Sequence, residues 1–206
     1  MNYDLADKAI RDMNRRNLRA FDRLKTLKFD ELNVLRNVKK VYDDSARLAK
    51  RRYLEIAEDA FLEAMMLAGA TRKEAEAELE DSITEDWVLD MLEDFDALTL
   101  YRFDTETERK AERTAEAILA SVNKDEAVDH ALRLWTRQVS QYADNSVIYA
   151  TIDGYKAAGV KKVRWKAERD EKVCKTCHDR DGKVYSINRI PPIPHYHCRC
   201  ILELVK

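Results

Sequence analysis

The sequence predicts a mainly α protein: a long-helix body over residues 1–159 and a small C-terminal antiparallel β module over residues 160–206 that binds zinc. Three observations lead there. The prolines lie only at 191, 192 and 194 and the glycines only at 69, 154, 159 and 182, so the first 150 residues hold almost no helix breaker. Apolar residues recur there at spacings of three and four. After Gly159 the period changes to two, and all four cysteines fall in this last part.

Taken in order, Tyr42, Ala46, Ala49, Tyr53, Ile56, Ala60 and Leu67 mark one face of a long helix starting near Asp30 and ending at Gly69, where glycine can take the left-handed C-cap conformation. Thr71 with Glu74 reads as a capping box opening a shorter polar helix. An acidic helix follows over residues 84–98, with Trp87, Leu89, Met91 and Leu92 as its apolar contacts. Asp104 or Thr105 then caps a helix carrying Ala111, Ala115, Ile118 and Leu119. The last long helix has the clearest rhythm, with Val128, Leu132, Trp135, Val139, Tyr142 and Tyr149 on one stripe and Gly159 as terminator. Beyond it Val163, Trp165 and Ala167 alternate with charged residues, Asp181-Gly182 signals a turn, residues 183–187 form the returning strand, and Cys200, Leu202 and Leu204 alternate again.

Composition fits a globular protein with solvated outer faces, 45% hydrophobic and 37% charged. No apolar run of the length needed to span a bilayer occurs, and Met1-Asn2-Tyr3-Asp4 lacks the segments of a signal peptide, so the expected setting is a cytoplasm. The formal net charge of −2 hides a segregation. Residues 1–52 hold 15 Lys and Arg against 8 Asp and Glu (net +7), residues 53–159 hold 10 against 25 (net −15), and residues 160–206 hold 12 against 6 (net +6). Such blocks steer encounters with charged partners, though solvated helix faces give the same counts. Glu85, Asp86, Asp90, Glu93 and Asp94 are the acidic face expected to meet basic protein, and the basic termini are expected to meet DNA or an acidic protein surface.

The chemistry-bearing residues are Cys174-Lys175-Thr176-Cys177 and His195-Tyr196-His197-Cys198-Arg199-Cys200. A Cys-x2-Cys pair followed by His-x2-Cys fits a closed four-ligand zinc site of Cys174, Cys177, His195 and Cys198. Two residues between ligands let a tight turn aim both donors at one ion, and the intervening loop brings the second pair around. Four protein ligands leave no place for water, so the zinc is structural. His197-x2-Cys200 has the same spacing, but Cys200 continues the Leu202 and Leu204 alternation and reads as a small core residue behind the site; it stands as the substitute ligand. Disulfides are disfavoured by a reducing compartment, and a redox Cys-x-x-Cys needs a βαβ setting that is missing.

No phosphate-binding glycine loop, H-E-x-x-H or G-x-S-x-G motif occurs, and His130 stands alone on a helix. No enzyme, catalytic residue or small-molecule substrate is therefore expected. The basic C-terminal module with Trp165, Tyr185 and Tyr196 could touch nucleic acid. A zinc-ribbon nucleic-acid-binding adaptor is the alternative reading of such a module. A metal-dependent nuclease would need an open coordination position.

Trp165, the run from Asp170 through Cys174 to Cys177, Asp181-Gly182-Lys183-Val184-Tyr185, Pro191-Pro192 and the final His195 to Cys200 together resemble the phage Mu protein F-like head morphogenesis family. The family pattern commonly ends in His-Pro-Asn-Cys-Arg-Cys, which aligns His195, Cys198 and Cys200 with family positions and leaves Tyr196 and His197 where the family has Pro-Asn. The resemblance covers about the last 45 residues. It implies a non-enzymatic minor capsid protein, located in the head interior or at the portal vertex and in the host cytoplasm during assembly. Its implied partners are the portal protein, other capsid components and double-stranded DNA, and its implied task is procapsid assembly and DNA packaging or delivery.

Overall fold

The computed structural model describes residues 3–27, 31–99, 103–167, 173–193 and 198–205. Six helices come first: α1 (Asp4–Lys25), α2 (Glu31–Leu67), α3 (Arg72–Ser82), α4 (Glu85–Thr99), α5 (Phe103–Ala120) and α6 (Lys124–Ala157). The C-terminal part holds β1 (Lys162–Lys166), a short α7 (Lys175–Arg180), β2 (Val184–Ser186), a 3-10 turn (Ile187–Arg189) and β3 (Ile201–Leu204). Among the described residues no helix is long and apolar enough to cross a membrane.

Local chemistry sets the helix ends. The Thr71 hydroxyl accepts the Glu74 amide while the Glu74 carboxylate accepts the Thr71 amide, the expected capping box. Gly69 and Gly159 both take positive φ, 105° and 74°, as the C-cap reading requires. Two helices differ from expectation. α1 carries apolar positions at helical spacing, Ala6, Ala9, Met13, Phe21 and Leu24, and was not singled out in the sequence. α5 starts at Phe103, ahead of both proposed caps, because the Phe103 ring belongs to the core.

The body is built around two long helices, α2 and α6. Tyr42, Tyr53, Phe103, Tyr142 and Trp135 interlock edge-on or stacked, with Tyr42 and Trp135 ring centroids 5.0 Å apart and Phe103 and Trp135 5.9 Å apart. The Trp135 indole and the Tyr42 and Tyr53 hydroxyls are satisfied. Trp135 Nε1 donates to Ser45 Oγ at 2.7 Å, Ser45 donates to Asn17 Oδ1 at 2.6 Å, and the Tyr53 hydroxyl donates to the Val139 carbonyl at 2.9 Å. Leu67, Leu89 and Leu119, read as stripe members, are instead exposed at 52%, 44% and 37%. They lie where the helical stripe has rotated out of the contact, Leu67 and Leu119 in the last turns of their helices.

α6 departs furthest from an amphipathic helix. Every residue from Val139 to Ile148 is buried, including Gln141, Asp144, Asn145 and Ser146. Gln141 Nε2 donates to Asn145 Oδ1 at 2.8 Å and Ser146 Oγ to the Tyr142 carbonyl at 2.8 Å, so part of this polar stretch is satisfied along the helix itself. Further along α6, a Cβ at Gly154 would lie 2.7 Å from the Phe61 carbonyl oxygen and 2.9 Å from Ala64 Cβ, so glycine is what allows α2 and α6 to approach this closely.

The three strands form one antiparallel sheet in the order β2-β1-β3. Val163 faces Tyr185 on one side and Leu204 on the other, and Trp165 faces Leu202. β1 alternates as expected, with Val163 and Trp165 buried between exposed Lys162, Arg164 and Lys166. A second apolar cluster, distinct from that of the body, gathers Val163, Trp165, Ile187, Leu202 and three cysteines with Ala64 and Tyr155 from the helices. The Tyr155 hydroxyl donates to the Leu202 carbonyl at 3.1 Å and ties β3 to α6.

Candidate metal centre

The Cys-x2-Cys segment is a helix start rather than the tight turn its spacing suggests. Cys174 is the N-cap of α7, and its sulfur accepts the Cys177 amide at 3.3 Å. One turn of helix then carries Cys177 onto the buried side of α7, while Cys198 and Cys200 enter from the segment leading into β3. The Sγ atoms of Cys177, Cys198 and Cys200 all lie within 4.8 Å of one another, and the Cys177–Cys198 separation is 3.8 Å. None of the four cysteines is in a disulfide.

This donor set fits a tetrahedral thiophilic ion. Thiolates about 2.3 Å from a tetrahedral zinc stand about 3.8 Å from each other, and the Cys177–Cys198 pair has that spacing. The electrostatics agree. Burial, followed by hydrogen bonding with Cys200 and Cys174, pushes the Cys177 thiol up to about 12. Hydrogen bonding with Cys200 and then burial push Cys198 up further. Thiols packed this tightly cannot all ionise against one another, and a bound dication would supply the missing counter-charge.

The structure thus brings Cys177, Cys198 and Cys200 together, with Cys174 one hydrogen bond from Cys177. Cys200, read from its alternation as a core residue behind the site, presents its sulfur to the cluster. It is also 4% exposed and lies in the apolar cluster of the module, so the two roles coincide. His195 and His197 lie outside the described residues. His178, within α7, is exposed.

Three further residues brace the centre and left no signal in the sequence, being nearly the whole chain apart. The Tyr3 hydroxyl donates to the Cys200 carbonyl at 3.3 Å. The Arg199 guanidinium lies 4.9 Å from the centroid of the Tyr3 ring and donates to Asp7 at 3.1 Å. The segment between two cysteines is therefore fastened to the first turn of α1.

The fold is a helical bundle closed by a small cysteine-centred β module that carries a candidate metal knuckle. The chain belongs to the phage Mu protein F-like family, whose sequence pattern matches residues 55–203. The match extends well past the C-terminal run that carried the resemblance and takes in the last third of α2 and all of α3 to α6. This is a family of phage head morphogenesis proteins, so the protein is associated with the virion and its partners are capsid components. No curated protein and no solved structure matches the chain significantly.

Proposed function

We propose that this protein is a non-enzymatic minor component of the phage head. It is associated with the portal vertex and assists procapsid assembly and DNA packaging or delivery. The match over residues 55–203 supports this reading most strongly. Residues 1–159 form the helical body, and residues 160–206 form a module held by a structural zinc ion. Cys174, Cys177 and Cys198 are proposed as ligands, with His195 or Cys200 as the fourth. The crowded, buried sulfurs of Cys177, Cys198 and Cys200 support a metal at this place. Bound there, the ion would neutralise thiolates and fix α7 against β3, with no open position for water.

The acidic helices α3 and α4 are the proposed docking face for other head proteins. Glu85, Asp86, Asp90 and Glu93 are exposed along α4. Affinity purification of the tagged protein from infected cells is expected to recover the portal ring in stoichiometric amount. Reversing these four carboxylates to lysine should lower that recovery without changing metal content. Recovery of heads or portals at background level would overturn the portal assignment.

A further inference from the structure

Five of the fifteen Lys and Arg of residues 1–52 lie on one face of α1. Ala6, Ala9, Met13, Asn17, Phe21 and Leu24 face the bundle. On the opposite side Lys8, Arg11, Arg15, Arg19 and Arg23 recur at spacings of three and four, and all five are exposed. Helical rise places them over about 22 Å, one cation roughly every 6 Å. None of the five forms an ion pair among the described residues. The neighbouring basic residues differ in this respect. Arg16 is held by Asp12 at 3.0 Å, Arg52 by Asp12 at 2.8 Å, and Lys25 by both Asp22 and Asp129. The pairing with Lys25 also occupies Asp22, an acid on the outer face of α1.

We propose that this face of α1 binds the phosphate backbone of double-stranded DNA without reading its sequence. Four of the five cations are arginines, whose planar fork pairs with phosphate oxygens. A dense, regular polyanion matches five evenly spaced, unpaired cations better than an isolated anion does, and duplex DNA carries one charge per about 1.7 Å of axis. An acidic protein face fits less well. Protein interfaces are anchored by desolvated apolar and aromatic side chains, and the only large apolar side chain on this face is Leu18, 47% exposed. The fold also gives DNA a side to approach from. α1 packs mainly on α2 and α6, whereas the strongly acidic α3 packs mainly on α2 and α4 on α2, α5 and α6, so neither acidic helix is a main neighbour of α1. This surface precedes residue 55, so it belongs to this chain beyond the family match, and it depends on neither the metal nor the portal reading.

The test is fluorescence anisotropy of the full chain with a labelled random-sequence duplex, titrated from 50 to 200 mM NaCl. Neutralising five phosphates, at a slope of about 0.9 each, predicts roughly a 500-fold loss of affinity across that fourfold rise in salt. A variant carrying Arg11→Gln, Arg15→Gln, Arg19→Gln and Arg23→Gln should bind more weakly at 50 mM and lose only about 3-fold over the same range. The matching Arg→Lys variant should keep most of the wild-type slope, and circular dichroism should show both as helical as wild type, since the side chains are exposed. Wild-type affinity and slope in the glutamine variant would overturn the proposal, as would no binding by the native chain at 50 mM. So would salt-sensitive self-association lost in the glutamine variant without DNA binding, which would assign the stripe to a second copy of the chain.

Discussion

The helical body and the C-terminal module close their cores with different material. Trp135, Tyr42, Tyr53, Phe21, Phe61 and Phe103 are fully buried in the body, and their hydroxyl and indole groups find partners within it. Among the largest fully buried side chains of the described residues, only Trp165 comes from beyond Gly159. The centre of the module is instead filled by Cys177, Cys198 and Cys200, which bury little apolar area each. At about 25 cal/mol per Å² of buried apolar surface, a short three-stranded sheet with such a centre gains too little to offset the entropy of ordering it. On that arithmetic one region can stand on packing, and the proposed metal would clip the other.

The sharpest way to break that contrast is to remove a ligand. Cys177→Ser should unfold the module while leaving the helices formed, because structural zinc contributes on the order of 10 kcal/mol in small zinc peptides. Hydrogen exchange should then become fast in β1 and β3 and stay slow in α2 and α6. Equal loss of protection in both regions would mean that the body depends on the module.

Much of this division was legible in the sequence because it rests on local rules. The four-and-three rhythm of α2 and α6, the Thr71 capping box and the left-handed glycines are each decided by a few neighbouring residues. What stayed hidden was decided by tertiary context. Gln141, Asp144 and Asn145 look solvent-facing in a linear reading, yet neighbours on every side bury that part of α6. The spacing of Cys174 and Cys177 was visible, but not that a helix starts between them. Alternation alone put Cys200 behind the site, whereas the path of the chain into β3 brings its sulfur to the cluster. Tyr3, Asp7 and Arg199 carry no motif at all.

The complementary perturbation acts on the body. Trp135→Ala should cost about 3–5 kcal/mol of global stability by leaving a cavity among Tyr42, Phe103 and the Ser45 hydroxyl. Metal content should not change, and chemical denaturation followed by far-ultraviolet dichroism reads the loss. A smaller effect probes the seam. Gly154→Ala places a methyl against the Phe61 carbonyl and Ala64, and overpacking of this kind costs about 1–3 kcal/mol. Because Ala64 belongs to the apolar cluster of the module, this variant should loosen β3 as well as the α2–α6 contact. Thermal unfolding with unchanged exchange rates in residues 201–204 would show that the two regions are insulated from each other.

The central claim is that a metal ion takes the place of a hydrophobic core in residues 160–206. Elemental analysis of protein purified without chelators addresses it most directly, and one zinc per chain, lost together with the Cys177→Ser substitution, is the expected result. Wild-type protein with no stoichiometric metal and a protected, folded β1–β3 pair would contradict the account.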